Sequence, residues 1–124
     1  MGRLATADAS GRPHVVPFVF AVEGLRIYWS VDDKPKRSRR LRRLDNIAAN
    51  PRVEVVVDHY EEEWGALWWV RASGTARTVE GDEAAGALEL LVAKYPQYAG
   101  RPPAGPFVAI DVERVTGWSV RDPE

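Results

Sequence analysis

The strongest constraint on the fold is a succession of short β-prone segments separated by turn residues, with only two segments that favour helix. Strands are predicted over residues 3–7, 13–22, 25–31, 52–59, 65–79 and 107–120, and helices over residues 34–50 and 83–95. Gly74 marks a bulge or bend in the fifth strand. About six antiparallel strands and two helices, with no internal repeat, predict a mainly β fold. The simplest such architecture is a small β-barrel whose openings the helices cover.

Length and composition set the scale of the molecule. A chain of 124 residues with 45% hydrophobic content forms one domain, residues 1–124. Cysteine is absent, which excludes disulfides and thiolate metal sites and fits a cytoplasmic protein. No apolar run is long enough to span a membrane, so we expect a soluble protein. Strand residues begin at position 3, and we expect that a helix preceding them is missing from this sequence.

The most unusual local feature is a basic segment, residues 34–43, which holds seven cations and no acid although the net charge is -1. The cations are Lys34, Lys36, Arg37, Arg39, Arg40, Arg42 and Arg43. Leu41, Leu44, Ile47 and Ala48 form an apolar stripe on the same predicted helix. Like charges three or four residues apart cost about 0.2 to 0.5 kcal/mol per pair. A bound polyanion would remove that repulsion, whereas the alternative is a solvated helix face paired with the acidic residues 61–63.

Aromatic side chains accompany the cations. Trp64, Trp68 and Trp69 follow the acidic loop, and Trp29 precedes the basic segment. Such rings can stack on a planar ligand whose charged tail the cations bind. Packing is the favoured role for Trp29 and Trp69. Because side chains alternate along a strand, Trp68 and Trp69 must face opposite sides of the sheet.

Few residues suit acid, base or metal chemistry. His14 and His59 stand apart, without a carboxylate at metal-ligand spacing, so we expect no metal site. His14 is a candidate proton donor beside a redox ring, and its alternative role is structural. The chain lacks a G-x-S-x-G motif and the glycine-rich loops that bind nucleotides, which leaves hydrolysis and nucleotide binding by those loops without support.

Several segments together carry a family resemblance: Leu4-Ala5-Thr6-Ala7-Asp8, Gly11-Arg12-Pro13-His14-Val15-Val16-Pro17, Val31-Asp32-Asp33-Lys34-Pro35-Lys36-Arg37, Asn46-Ile47-Ala48-Ala49-Asn50-Pro51-Arg52-Val53, Val57-Asp58-His59-Tyr60 and Trp68-Trp69-Val70-Arg71-Ala72-Ser73-Gly74-Thr75-Ala76. Over about residues 3–120 the chain resembles the pyridoxamine 5'-phosphate oxidase-like split β-barrel superfamily of flavin and deazaflavin oxidoreductases. Within it, the chain is most similar to actinobacterial F420-dependent enzymes.

The resemblance implies a homodimer in which a flavin-like cofactor lies in a groove between the subunits and transfers hydride to or from a small molecule. It places the cofactor phosphate on Lys34, Lys36, Arg37, Arg40 and Arg43. It also places Ser30 and Val31 along the ring or ribityl chain, backbone contacts to the ring at Val15, Val16 and Pro17, and Trp64 and Trp68 across the subunit boundary. Coenzyme F420, a planar ring with a polyanionic tail, is the cofactor that suits both the resemblance and the basic segment.

Three other functions stay open at this stage. The same groove could bind FMN in an oxidase or reductase, or the protein could carry F420 without catalysis. Nucleic-acid binding by the arginine-rich helix is the third, and the slightly negative net charge weighs against it. The sequence does not choose the conjugated acceptor that would be the substrate.

Overall fold

The structure is a computed structural model that describes residues 1–31 and 42–120. Its strands are β1 (Gly2–Ala7), β2 (Pro13–Phe18), β3 (Ala21–Glu23), β4 (Arg26–Ser30), β5 (Arg52–His59), β6 (Trp68–Val79) and β7 (Phe107–Ser119). Its helices are α1 (Arg42–Ala49), α2 (Gly81–Lys94) and the short α3 (Gln97–Gly100), and a 3-10 turn covers Trp64–Ala66. The mainly β prediction is confirmed. The expected count of two helices omits α3, which lies in a segment that its prolines and glycines had marked as a loop.

The strands form one antiparallel sheet in the order β2-β1-β5-β6-β7-β4-β3. The two end strands, β2 and β3, are consecutive in the chain and only Val19 and Phe20 lie between them. Two residues span at most about 7 Å, so the ends of the sheet must lie close together. The sheet therefore curls into a barrel that the covalent chain closes at this point.

The prediction of one continuous strand over residues 13–22 is wrong at this closure. The first half of that segment pairs with β1 and the second half with β4. Tyr95, just after α2, donates its hydroxyl to the Phe20 carbonyl oxygen at 2.9 Å, and Lys94 donates to the same oxygen at 2.6 Å. Residues far along the chain therefore fix this bend, and the strand propensity of the local sequence cannot predict it.

The barrel interior is apolar. Its buried core consists of Leu4, Phe18, Phe20, Ile27, Trp29, Ile47, Val53, Val55, Ala76, Val108 and Ile110. Trp29 is 1% exposed and meets the Phe18 ring edge to face, with 6.3 Å between ring centroids. The predicted packing role of Trp29 is therefore confirmed.

Strands β6 and β7 are the longest in the sheet, and their pairing is interrupted once. Ser73 faces Arg114 and Gly74 faces Val112, so Glu113 is the extra residue of a bulge. A Cβ atom at Gly74 would collide with the Asp111 carbonyl oxygen of β7. The bulge predicted at Gly74 is confirmed, and the close approach of the two backbones explains why this position has no side chain.

Helix α1 packs against the inner side of the barrel. Ile47 is buried in the core and Leu44 packs against it, as predicted. Ala48 is exposed, so its assignment to the apolar stripe is wrong. Asn46, only 3% exposed, lies on the buried side instead and donates its amide to the Thr6 hydroxyl on β1 at 2.9 Å. Leu41, the remaining member of the predicted stripe, lies outside the described residues.

Candidate functional site

Strand β6 has two faces of different character. Its inner face carries Ala72 and Ala76 toward the core. On its outer face, the half near Val79 is covered by α2, and the half that carries Trp69 and Arg71 is not. We call this uncovered area the outer sheet face. Across neighbouring strands it comprises Arg3, Ala5, Val15, Pro17, Glu54, Val56, Asp58, Trp69, Arg71, Ser73, Arg114, Thr116 and Trp118.

Two clefts open on the outer sheet face. The tryptophan cleft, of about 360 Å³, is lined by Val56, Asp58, Tyr60, Trp69 and Arg71. The arginine cleft, of about 280 Å³, is lined by Glu54, Arg71, Ser73, Arg114 and Thr116. Arg71 belongs to both, and its guanidinium carbon lies 5.4 Å from the centroid of the Trp69 ring. The two clefts are therefore adjacent, and one cation separates them.

Four of the five tryptophans gather where β5 ends, β6 begins and β7 ends. Trp64 in the 3-10 turn is 76% exposed, and Trp68 and Trp118 are also exposed. Trp68 and Trp69 face opposite sides of the sheet, as alternation predicts: Trp68 stacks on His59 and Trp69 lines the tryptophan cleft. Trp118 pairs directly with Trp69 across the strands, and sequence reasoning missed it.

The acidic loop forms a hydrogen bond with the last residue of β5, the strand that precedes it. His59 Nε2 forms a short hydrogen bond with Glu61 Oε2, and the His59 ring lies 6.3 Å from that of Trp68 at an interplanar angle of 16°. One of the three glutamates weighed as partners of the basic segment is thus paired locally.

Strand β2 presents the predicted ring contacts on an edge. Val15 and Pro17 face outward and are exposed, whereas Val16 points inward and packs against the core. In the described sheet β2 pairs with β1 alone, so its other side offers unpaired backbone groups. Pro13 and Pro17 lack an N–H, which confines the backbone donors of β2 to His14, Val15, Val16 and Phe18.

Ser30 and Val31 lie at the end of β4. Ser30 is 8% exposed, and its hydroxyl donates to the Val31 carbonyl oxygen at 3.2 Å. The Val31 N–H donates to the Pro106 carbonyl oxygen at 3.1 Å, and its side chain packs against the core. Both residues lie where the chain leaves β4 and continues into the basic segment. Their contact with a cofactor stays a prediction.

Of the five cations assigned to the cofactor phosphate, Arg43 is described. Its guanidinium carbon lies 5.2 Å from the Trp29 ring centroid, so this end of the basic segment contacts the barrel interior. Lys34, Lys36, Arg37 and Arg40 lie outside the described residues. Their role stays a prediction.

His14 lies on the inner face of β2, directly opposite Thr6. Its Nδ1 atom is buried and has no hydrogen-bond partner within residues 1–31 and 42–120. Because Val15 and Pro17 face the other way, the His14 side chain is on the opposite side of β2 from the outer sheet face. Its role as a proton donor beside a redox ring stays a prediction.

A charged network fixes α2 to the outer surface of the barrel. Arg77 donates to Asp111 Oδ2 at 2.7 Å and to Glu83 Oε1 at 2.9 Å, and Tyr28 donates to Glu83 Oε2 at 3.0 Å. Hydrogen bonds from Arg77 lower the pKa of Glu83 and that of Asp111, while burial raises the pKa of Tyr28. The Arg26 guanidinium adds a bond to Asp111 at 3.2 Å. Arg26 and Arg77 therefore join β4, β6, β7 and α2 through ion pairs.

Metal-ligand clusters and membrane-spanning helices are both absent from the described residues. No group of three histidine, aspartate or glutamate side chains suited to a metal ion occurs in the parts described. Across the same residues, no helix has the length and hydropathy needed to cross a membrane.

A single curled antiparallel sheet closed through a two-residue connection defines a protein of the split β-barrel class. Residues 1–119 match the family model described as pyridoxamine 5'-phosphate oxidase, so the chain belongs to that family. A comparison with curated proteins gives no significant match.

Solved structures with the same fold bind different ring compounds. The heme storage protein HutZ of Vibrio cholerae is similar over 98% of this chain and 89% of its own, with a TM-score of 0.74 and 18% identity. A FAD-binding protein of Mesorhizobium loti has a TM-score of 0.68 and 25% identity over 94% of this chain and 83% of its own. A heme binding protein of Mycobacterium smegmatis has a TM-score of 0.74 and 24% identity over 94% of this chain and 48% of its own.

Proposed function

We propose that this protein is an oxidoreductase that uses coenzyme F420 to transfer hydride to a conjugated small-molecule acceptor. The observation that carries the proposal is the basic segment, seven cations in ten residues next to a flavin-type barrel. A single phosphate needs fewer cations, whereas the phosphodiester and glutamate tail of F420 form a polyanion. When bound, F420 supplies hydride transfer at a ring carbon.

Strand β2, which carries the ring contacts expected from the resemblance, offers backbone groups at an edge of the described sheet. Trp69 and Arg71 are not part of this cofactor surface, because Pro17 and Arg71 lie three strand spacings, about 14 Å, apart in one row across β2, β1, β5 and β6. We assign the chain itself binding, orientation and exclusion of water, and no indispensable proton donor.

We also propose that the cofactor lies between two copies of the chain. Trp64, Trp68 and Trp118 are exposed near one end of the sheet, Trp68 and Trp118 on opposite faces of it, and exposed aromatic side chains mark interaction sites. A second copy placed there would bring Trp64 and Trp68 to the groove, as the family resemblance implies. The absence of cysteine supports a cytoplasmic location for this dimer.

FMN binding is the second candidate, favoured by the likeness to the FAD-binding protein at 25% identity. Fluorescence titrations of F420 and FMN on one preparation separate the two. Saturable binding of F420 with a lower Kd than FMN is expected. Tighter binding of FMN, or yellow protein on purification, would refute the F420 assignment. Turnover of reduced F420 with a panel of acceptors separates an enzyme from a carrier, and an absence of turnover would support the carrier.

Substitution of two cations tests whether the basic segment binds F420. Replacing Lys36 and Arg40 by Ala should weaken F420 binding by about 1 to 3 kcal/mol in total, the range for hydrogen bonds to charged groups. Thermal stability without ligand should be unchanged or slightly higher, because repulsion along the helix is relieved. The matched control replaces Arg12 and Arg101, two exposed cations elsewhere, and should leave the affinity unchanged. If both double variants weaken F420 binding equally, the affinity depends on net charge alone and Lys36 and Arg40 are not specific contacts.

A further inference from the structure

The arginines on the outside of the barrel fall into two groups. Under α2, Arg26 and Arg77 form ion pairs with Glu83 and Asp111. In the arginine cleft, neither Arg71 nor Arg114 forms an ion pair with any residue of the described ranges. Carboxylates of the same protein therefore neutralise the first group, whereas the second group is accessible to solvent or to a ligand.

Strand register places these two cations close together. Arg71 pairs with Thr116 and Ser73 pairs with Arg114, so the two arginines are diagonal neighbours on adjacent strands. Diagonal neighbours are about 7 to 8 Å apart at their Cα atoms, within reach of long side chains. Like charges on diagonal neighbours repel each other when their side-chain ends approach, and an anion bound between the two guanidinium groups would remove that repulsion.

The one carboxylate of the cleft does not fill that role. Glu54 Oε1 accepts the Ser73 hydroxyl at 2.8 Å, and no Glu54 oxygen is within ion-pair distance of Arg71 or Arg114. Ser73 thus orients Glu54, while the guanidinium groups and the Thr116 hydroxyl remain as donors around about 280 Å³ of open space. The donor set suits a carboxylate, which two arginines bind through parallel N–H groups.

We propose that the arginine cleft binds the carboxylate of an aromatic or conjugated acid whose ring lies in the tryptophan cleft. Arg71 connects the two clefts, since it lines both and lies over the Trp69 ring. Binding of this acid needs no cofactor and does not rest on the proposed function.

Position separates this site from helix α1, whose Arg43 is the one cofactor-assigned cation among the described residues. Helix α1, into which the basic segment leads, packs on the inner side of the barrel through Ile47 and the Asn46 bond to Thr6. Arg71 and Arg114 are on the outer face of the same sheet. The arginine cleft is therefore a second cationic site, separate from α1.

Binding of 2-naphthoate, compared with the neutral 2-naphthamide, tests the proposal without any cofactor. Isothermal titration should give saturable binding of the carboxylate that weakens with added salt, and much weaker binding of the amide. Arg71→Gln and Arg114→Gln should each weaken naphthoate binding by about threefold to tenfold, as expected for charged hydrogen bonds near a surface. Arg52→Gln is the matched control, because Arg52 is an exposed cation on β5 outside the cleft, and it should change the affinity by less than about twofold.

Three outcomes would overturn the inference. Equal affinities for the acid and the amide would show that no charge is recognised. An Arg52→Gln effect as large as that of Arg114→Gln would show only nonspecific attraction. Displacement of naphthoate by F420 would assign the cleft to the cofactor tail instead of a separate acid. Because the first two measurements contain no F420, failure of F420 binding would leave them interpretable.

Discussion

The attachment of α1 to the barrel provides the most specific prediction about stability. Asn46 is 3% exposed and Thr6 is 4% exposed, and the bond between the Asn46 amide and the Thr6 hydroxyl is 2.9 Å long. Thr6→Val keeps the shape of the side chain and removes the acceptor. The Asn46 amide is then buried without this partner.

The expected magnitude follows from the asymmetry of buried hydrogen bonds. An unsatisfied buried donor costs about 1 to 3 kcal/mol, whereas replacing both partners by apolar groups of similar shape is close to neutral. Thr6→Val should therefore lower the free energy of unfolding by about 1 to 3 kcal/mol. The double variant Thr6→Val with Asn46→Leu should be less destabilised than the sum of the single variants, by at least about 1 kcal/mol.

Equilibrium urea unfolding of the four proteins measures this coupling. The exposed bond between Ser73 and Glu54, at 2.8 Å, is the control pair, for which the Ser73→Ala and Glu54→Gln cycle should give only a few tenths of a kcal/mol. Additivity within about 0.5 kcal/mol for Thr6 and Asn46 would refute the reasoning. It would show that the bond does not stabilise α1 against the barrel.

Two further predictions concern the network under α2 and the bulge. The folded pKa values of Glu83 and Asp111 are lowered, so their stabilisation is complete at neutral pH and is lost as pH falls from about 5 through those values. Urea midpoints measured against pH should decline over that range, and Arg77→Met should flatten the decline; an unchanged slope would contradict the role of Arg77. Gly74→Ala should destabilise by about 1 to 3 kcal/mol because the new Cβ meets the β7 backbone, whereas Gly86→Ala in the open part of α2 should stabilise by about 0.5 to 1 kcal/mol. Thermal unfolding compares the two variants, and equal effects would contradict the close approach at the bulge.

Local sequence signals predicted most strands within two residues. β5 has the predicted boundaries, β1 and β7 differ by one residue at one end, and β4 is shorter by one residue at each end. These segments combine β-branched residues with clear turn signals, so propensity and tertiary structure agree. The larger error, at the bend between β2 and β3, arose because Lys94 and Tyr95 fix Phe20 from a distance of more than seventy residues along the chain.

The candidate site was less predictable, since its residues meet only through strand register. Arg71 and Arg114 are separated by forty-three positions, and the bulge at Gly74 shifts which residue of β7 faces β6. A one-residue difference in register exchanges the two faces of a strand. Alternation placed Trp68 and Trp69 on opposite sides correctly, but it carries no information about Trp118 or the arginine pair.

The basic segment illustrates how stability and binding are linked in this barrel. Its cations are adjacent in sequence to a helix that Leu44, Ile47 and the Asn46 bond attach to the core. Any ligand that binds the folded protein alone adds to its stability in proportion to the logarithm of ligand concentration over Kd. Under the proposed function, a polyanion that neutralises these cations recovers the free energy of their repulsion as affinity. The sequence shows the like charges, and the structure shows that Leu44, Ile47 and the Asn46 bond keep the helix that begins among them attached to the barrel.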